Sequence, residues 1–192
     1  LQPKKILVIK FGGLGDVILS LSAMYSIFRK FKRKITLLTE EPFNDLLKKS
    51  NWFDDIQTIK RSMFYSYDIF QIKRKLKYEE FSEIFDLQTS RRSSYYLKLF
   101  KNSGGQTNGI GKYSTISHQN IKRNFMHTIK RQEDQLSLSN IKFIKNPDLK
   151  WLYNQNSKFK EKQIGLIVPG GSGTRMNKRI PLKIFFRITS LF

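Results

Sequence analysis

Residues 4–18 constrain the fold more than any other part of this chain. Residues 6–9 form a short apolar run rich in β-branched side chains, which is typical of a strand buried on both faces. Residues 12–15 contain three glycines, and glycine lets a backbone turn sharply and lets a ligand come close. From Val17 onward, apolar residues recur at helical spacing. The pattern predicts a strand, a glycine turn and a helix.

Asp16 stands where the predicted helix begins, at the crevice in which open α/β sheets bind ligands. A carboxylate there repels the phosphate that such turns usually bind through N–H groups and the helix dipole. The turn also lacks the Lys-Ser/Thr pair of a P-loop, and Ile18 replaces the Gly or Ala of a dinucleotide-binding turn. Two interpretations stay open: Asp16 is a general base for a hydroxyl nucleophile, or it caps the helix.

Strand-like and helix-like segments alternate along the chain, which predicts a parallel α/β sheet. Further strands are predicted at residues 34–39, 56–59, 83–87 and 163–168. Further helices are predicted at residues 41–49, 67–77, 90–100 and 127–144, with a loop at 112–126. We therefore expect a first domain at residues 1–145, a polar linker at 146–162 and a second domain that begins at 163–192.

Composition excludes several kinds of site. The chain has no cysteine, which rules out disulfides, thiolate metal ligands and cysteine nucleophiles, and its two histidines are too few for a histidine-based metal centre. No apolar run approaches the roughly 20 residues of a membrane span. The formal net charge is +21. Such a charge favours a polyanionic partner, although a compositional bias toward lysine in an AT-rich genome explains it equally well.

Four ordered segments resemble one family. The segment KILVIKFGGLGDVILSLSA at residues 5–23 is similar to the N-terminus of the ADP-heptose:lipopolysaccharide heptosyltransferases, glycosyltransferase family 9. Later similarities are IFDLQ at 84–88, the helix start around His127, and GLIVPGGS at 165–172 followed by KRIP at 178–181. One departure is Ile180, where the family usually has an aromatic residue before the proline.

The resemblance implies an α/β protein of the GT-B type. Residues 1–145 would form its N-terminal, acceptor-side Rossmann-like domain with a parallel sheet. Residues 163–192 would supply the first β-loop-α unit of a second Rossmann-like domain, which binds the nucleotide sugar. The implied activity is glycosyl transfer, with heptose moved from ADP-heptose to the lipopolysaccharide inner core. We interpret the chain as a fragment that is inactive alone.

The resemblance also implies roles for individual residues. Asp16 corresponds to the catalytic base of the family. Ser172, Gly173 and Thr174 would donate hydrogen bonds to the donor diphosphate, and Lys178 would pair with it. The alternative for this segment is a flexible basic loop that binds nothing.

The acceptor side would be formed by the glycine turn and by the start of the helix predicted after residue 89. Gly13 and Gly15 leave room for the acceptor beside the base. Arg91 and Arg92 would pair with its carboxylates or phosphates, because a guanidinium fork suits both groups. The alternative is that these two arginines are simply solvated. Lys10, at the end of the first strand, is either an electrostatic partner of Asp16 or a solvated lysine.

The implied partners are ADP-heptose and an anionic lipid A-core acceptor, with a cytoplasmic location and peripheral contact with the inner membrane. No metal, cofactor or nucleic acid is expected. One alternative is a nicotinamide-dependent oxidoreductase with Gly13 and Gly15 at the pyrophosphate and Glu40 or Glu41 at a ribose, although Asp16 argues against it. The other is a basic nucleic-acid-binding module, although no compact basic helix or aromatic-basic sheet motif is present.

Overall fold

The computed structural model describes residues 5–31, 34–76, 79–101, 104–152 and 181–189. The chain divides into two compact units, Leu1–Tyr153 and Asn154–Phe192. The predicted strand at 163–168, most of the predicted linker and the predicted diphosphate loop lie outside the described residues. The linker and the identity of the second domain therefore stay predictions.

The first unit alternates strands with helices. Its strands are β1 (Lys5–Ile9), β2 (Ile35–Thr39), β3 (Asp55–Thr58), β4 (Phe81–Asp86), β5 (Gln106–Gly109) and β6 (Ile116–Ser117). Its α-helices are α1 (Leu14–Ile18), α2 (Leu21–Lys30), α3 (Asn44–Lys48), α4 (Tyr65–Lys75), α5 (Arg91–Tyr96) and α6 (Thr128–Ser137). Short 3₁₀ helices lie at Glu41–Phe43, Leu97–Phe100, Ile121–Phe125 and Lys150–Leu152. In the second unit, the described element is helix α7 (Leu182–Thr189).

The described strands form one sheet in the order β3-β2-β1-β4-β5-β6, and each neighbouring pair runs parallel. This arrangement confirms the predicted parallel α/β fold. Chain order reverses between β1 and β4, so the loops after these two strands leave the sheet in different directions. In such sheets a crevice opens at that point, above the carboxyl ends of the strands.

Strand β1 lies at the centre of the sheet, and both of its faces are covered. Ile6 and Val8 pack in the cluster that includes residues of α2 and α6, while Leu7 and Ile9 pack in the cluster that includes residues of α4 and α5. All four side chains are fully buried. Burial of each side chain stabilises the folded state by about 1.5–3 kcal/mol. This short run therefore anchors both layers of helices.

The first predicted helix is interrupted. Helix α1 ends at Ile18, and α2 begins at Leu21. Between them the Ser20 hydroxyl donates to the Asp16 carbonyl at 2.7 Å, and the Ser20 N–H donates to the Val17 carbonyl at 3.0 Å. A serine that bonds to the carbonyl four residues earlier bends a helix, which explains the break.

Helix α6 ends seven residues earlier than the predicted limit of residue 144, because a Schellman motif closes it. Asn140 has a φ of 54°. Its N–H donates to the Ser137 carbonyl at 2.9 Å, and the Ile141 N–H donates to the Leu136 carbonyl at 3.2 Å. Leu136 and Ile141 then pack in the same core cluster, so the motif also directs the chain back onto the core.

The predicted loop at 112–126 contains the two-residue strand β6 and a 3₁₀ helix. Strand β6 pairs with β5 through Asn108–Ile116 and Gly109–Ser117. Two residues are too few to show an alternating pattern, so the sequence alone does not reveal this strand. Within the described part of the chain, no helix is long and apolar enough to cross a membrane.

Gly105, just before β5, offers a test of the packing between β5 and β4. A Cβ at this position would overlap the Phe81 carbonyl oxygen and lie 3.1 Å from Ile84 Cδ1. We expect Gly105→Ala to lower the free energy of unfolding by about 2–3 kcal/mol, because a backbone oxygen cannot move aside cheaply. Gly15→Ala is the control, since nothing lies within 4 Å of its Cβ. Urea denaturation would contradict this packing if both variants matched the wild type.

Candidate functional site

Side chains from two neighbouring loops hold the glycine turn after β1. The Phe11 N–H donates to Gln88 Oε1 at 3.1 Å, and the Gly12 N–H donates to Glu40 Oε2 at 3.1 Å. Gly12 has a φ of 110°, a conformation that favours glycine. A Cβ there would lie 3.3 Å from Asp16 Oδ2 and 3.6 Å from Gln88 Oε1. The turn therefore brings Asp16 close to the loop after β4.

Asp16 lies in the first turn of α1, as predicted, and its side chain is exposed. The N-cap residue is Gly13, so no side chain caps the start of this helix. Within the described residues, the Asp16 carboxylate accepts no hydrogen bond, so the capping alternative lacks the contact that would support it. The carboxylate is available to a ligand in the crevice.

Gly13 and Gly15 are both exposed beside Asp16. A Cβ on Gly13 would approach no atom closer than Asp16 Oδ2, at 4.0 Å, and a Cβ on Gly15 would meet nothing within 4 Å. Neither glycine is therefore required by the packing of the described residues. Their effect is to leave open space around the carboxylate.

Lys10 is buried rather than solvated, with 4% of its surface exposed. Burial lowers the pKa of Lys10, and the negative charges of Asp16 and Asp86 oppose that change. The ammonium group thus lies in the field of both carboxylates. Of the two interpretations of Lys10, the structure supports the electrostatic partner.

Asp86 ends β4 with a side chain that is completely buried. It accepts hydrogen bonds from the N–H groups of Gln88 and Thr89, both at 3.0 Å, and from the Ser93 hydroxyl at 2.8 Å. Burial raises the pKa of Asp86 to about 6, although these bonds and the positive charge of Lys10 favour the ionised form. Asp86 therefore organises the loop that carries Gln88.

Two buried glutamines of helix α6 bond to the end of β4 and to the junction between α1 and α2. Gln135 Nε2 donates to the Asp86 carbonyl at 3.0 Å, and Gln132 Nε2 donates to Ser20 Oγ at 2.8 Å. Ser20 in turn bonds to the Asp16 carbonyl. Neither glutamine was predicted from the sequence as part of the site. Their spacing could have identified them, because it puts both glutamines on the same helix face as the buried Leu136.

Arg123, His118 and Asp134 form a hydrogen-bonded group, and the arginine lies in the field of Asp86. Arg123 Nε donates to His118 Nδ1 at 3.1 Å, and His118 Nε2 lies 2.8 Å from Asp134 Oδ2. Since Nδ1 accepts from Arg123, the imidazole proton belongs on Nε2, where it is donated to Asp134. Burial and the nearby Arg131 lower the pKa of Arg123, and Asp86 opposes this. Among the described residues, Arg123 Nη2 is buried without a hydrogen-bond partner.

Arg92 is occupied by contacts within the protein. Its guanidinium forms an ion pair with the fully buried Asp68 and donates to the Ser62 carbonyl, and its Nε lies 2.7 Å from the Tyr96 hydroxyl. Although burial acts to raise it, the pKa of Asp68 is lowered by hydrogen bonds from Tyr96, Ser62 and Arg92. Arg92 thus joins α4 to α5.

Arg91 is exposed, in contrast to its neighbour. It lines a cavity of about 530 Å³ together with Lys112, Tyr95 and Tyr113. Of the two arginines singled out for the acceptor side, Arg91 is therefore the one open to a ligand. The four residues predicted for the donor diphosphate, Ser172, Gly173, Thr174 and Lys178, lie outside the described residues.

The Glu40 carboxylate is also occupied by contacts within the protein. Besides accepting from Gly12, its carboxylate pairs with the Arg61 guanidinium at 2.8 and 2.9 Å. The ribose contact required of Glu40 in a nicotinamide-dependent enzyme would break this pair, and two N–H groups of the turn already have acceptors. In the residues described, no cluster of three or more potential metal ligands occurs.

No protein-family model matches this chain, and no curated protein does. The solved structures that match its fold include the following three. A glycosyl transferase family 9 protein from Veillonella parvula has a TM-score of 0.61 at 16% identity, over 76% of this chain and 44% of that one. The Escherichia coli heptosyltransferase WaaC with ADP-2-deoxy-2-fluoro heptose has a TM-score of 0.57 at 14% identity, over 74% and 50%.

The same WaaC with ADP gives a TM-score of 0.56 at 14% identity, over 74% of this chain and 49% of that one. The chain therefore has the fold of part of a GT-B glycosyltransferase and spans about half the length of these proteins. At 14–16% sequence identity, these matches show a shared fold alone.

The two arginines at the start of α5 should differ sharply in their effect on stability. We expect Arg92→Ala to lower the free energy of unfolding by roughly 3 kcal/mol, because it leaves the buried Asp68 carboxylate without its cation. Arg91→Ala, the matched control, should change it by less than about 0.5 kcal/mol. Chemical denaturation of both variants measures the difference, and equal stabilities would refute the role given to Arg92.

Asp86 should make stability depend on pH. Because its pKa is about 6 in the folded protein and 3.8 ordinarily, the folded state binds more protons between these values. The contribution of Asp86 to stability is therefore present below pH 4 and lost as the pH rises through 6. Relative to wild type, Asp86→Asn should gain roughly 2 kcal/mol of unfolding free energy between pH 4 and 7. A pH-independent difference in unfolding free energy would contradict this.

Proposed function

We propose that this chain carries the acceptor side and the catalytic base of a glycosyltransferase that uses ADP-heptose. The observation that carries the proposal is the exposed Asp16 carboxylate, which accepts no hydrogen bond in the described residues and lies at the crevice between β1 and β4. The likeness of the fold to WaaC, whose structure was solved with an ADP-heptose analogue, supports this substrate class.

In the proposed reaction an acceptor hydroxyl attacks the anomeric carbon of the donor sugar. Asp16 takes the hydroxyl proton as the new carbon–oxygen bond forms and the bond to the diphosphate breaks. The leaving ADP gains negative charge. Lys178, with hydrogen bonds from Ser172, Gly173 and Thr174, would stabilise that charge electrostatically. No step requires a metal ion.

The surroundings of Asp16 favour an anionic acceptor. Lys10 lies in the field of the Asp16 carboxylate, and the charge of Arg131 lowers the pKa of both Lys10 and Arg123. Arg123 Nη2 has no partner among the described residues, and Arg91 with Lys112 lines an open cavity. A guanidinium group suits a carboxylate or a phosphate. We therefore propose the lipopolysaccharide inner core as the acceptor.

An acceptor of this kind is held in a lipid bilayer. We infer that the protein works at the cytoplasmic face of the inner membrane, in peripheral contact with it. Residues 1–145 would bind the acceptor, residues 146–162 would connect the domains, and residues 163–192 would begin the donor-binding domain. Gly13 and Gly15 would leave room for the attacking sugar beside Asp16.

Replacing Asp16 by Asn tests the proposal. In the protein as its gene encodes it, Asp16→Asn should lower the transfer rate by about 10²–10⁴, because an amide keeps the shape but cannot accept the proton. Affinity for ADP-heptose should stay within a few-fold, which a binding titration measures. Lys178→Ala is the contrasting variant and should weaken donor binding together with the rate. An Asp16→Asn protein with a near wild-type rate would remove Asp16 from the mechanism.

A further inference from the structure

Several large apolar side chains are exposed between β3 and the middle of α4. Met63 and Phe64 are 90% and 72% exposed, and Tyr67 and Phe70 are also exposed. We call these four residues, with the exposed Lys73 and Arg74, the α4 surface. Single exposed apolar side chains are ordinary, but a group of four suggests a surface with a partner.

The α4 surface is held in place. The Phe64 N–H donates to Ser62 Oγ at 3.1 Å, and the Ser62 N–H donates to Asp68 Oδ1 at 2.9 Å. The Ser62 carbonyl accepts from Arg92, so the loop is fastened to the buried Asp68–Arg92 pair. On the helix, the rings of Tyr67 and Phe70 stack with their centroids 6.5 Å apart. The apolar side chains are thus presented by an anchored backbone.

The segment that carries these side chains is basic. Residues 60–75 contain five lysines and arginines and one acid, Asp68. Asp68 is fully buried and paired with Arg92, so it does not offset the basic charge outside. Exposed aromatic and apolar side chains beside lysine and arginine are typical of segments that lie at the surface of an anionic membrane.

The position of the α4 surface relates it to the candidate site. Its loop follows β3 and therefore leaves the same edge of the sheet as the glycine turn and Asp16. Arg61, in that loop, pairs with Glu40, and Glu40 accepts the Gly12 N–H. A partner on the α4 surface would lie along the edge at which the crevice opens.

We propose that the α4 surface docks on an anionic phospholipid bilayer, with Met63 and Phe64 entering the interface and Lys73 and Arg74 facing the headgroups. A second copy of this chain is a poor occupant because its +21 charge would repel the first. Nucleic acid is also a poor occupant, because the Met63 thioether can neither stack on a base as a ring does nor donate a hydrogen bond. The purpose of docking rests on the proposed function, but lipid binding itself needs no glycosyl transfer.

Vesicle flotation tests the proposal. The full chain should bind vesicles of phosphatidylcholine with phosphatidylglycerol and should bind much less to phosphatidylcholine alone, with binding reduced by added salt. The double variant Met63→Ser, Phe64→Ser should bind at least about tenfold more weakly, because it removes apolar surface from the interface. Its thermal unfolding should be unchanged, because both side chains are exposed.

Ile121→Ser, Phe125→Ser is the matched control. These side chains are 94% and 92% exposed beside Lys122, but they follow β6 at the opposite end of the sheet order. This variant should bind vesicles like the wild type, and so should Asp16→Asn, which separates docking from catalysis. Equal loss in the control would overturn the assignment to the α4 surface.

Two other results would also overturn the proposal. One is a homodimer, seen by light scattering, that Met63→Ser, Phe64→Ser dissociates. The other is binding of an oligonucleotide that the same variant abolishes while vesicle binding is retained.

Discussion

The buried carboxylate of Asp86 determines the arrangement of the crevice. Its two oxygens accept from two backbone N–H groups and from Ser93, and this shapes the loop after β4. That loop carries Gln88, which reaches across to the Phe11 N–H and steadies the glycine turn. The position of Asp16 depends on that turn. A buried charge is costly unless it is fully satisfied, so these hydrogen bonds have to persist while the protein is folded.

The main features of the fold were accessible from sequence because they depend on local patterns. The apolar run of β1 and the glycines after it determine a buried strand and a turn within a few residues, and alternation of elements then implies a parallel sheet. The same local pattern predicts that Asp16 lies at the start of a helix, and Asp16 is in the first turn of α1. By contrast, the Schellman motif at Asn140 and the two-residue strand β6 depend on tertiary packing or are too short for periodicity.

The site was less accessible, because its contacts join distant residues. Gln88 and Phe11 are 77 residues apart, and Gln132 and Ser20 are 112 apart. No spacing rule connects such pairs. Two adjacent arginines also looked equivalent, yet Arg92 faces the buried Asp68 whereas Arg91 lines an open cavity. Which way each one points is decided by α4, an element elsewhere in the sequence.

The hydrogen bonds of the glycine turn limit how this unit can diverge. Nucleotide-binding relatives of the strand–turn–helix unit leave backbone N–H groups free for phosphate. Here the Phe11 and Gly12 N–H groups are satisfied by side chains from the loops after β4 and β2. Point substitutions within the turn would not free them. Conversion to a phosphate-binding turn would require coordinated changes in three separate loops. We therefore expect this turn to be difficult for evolution to convert.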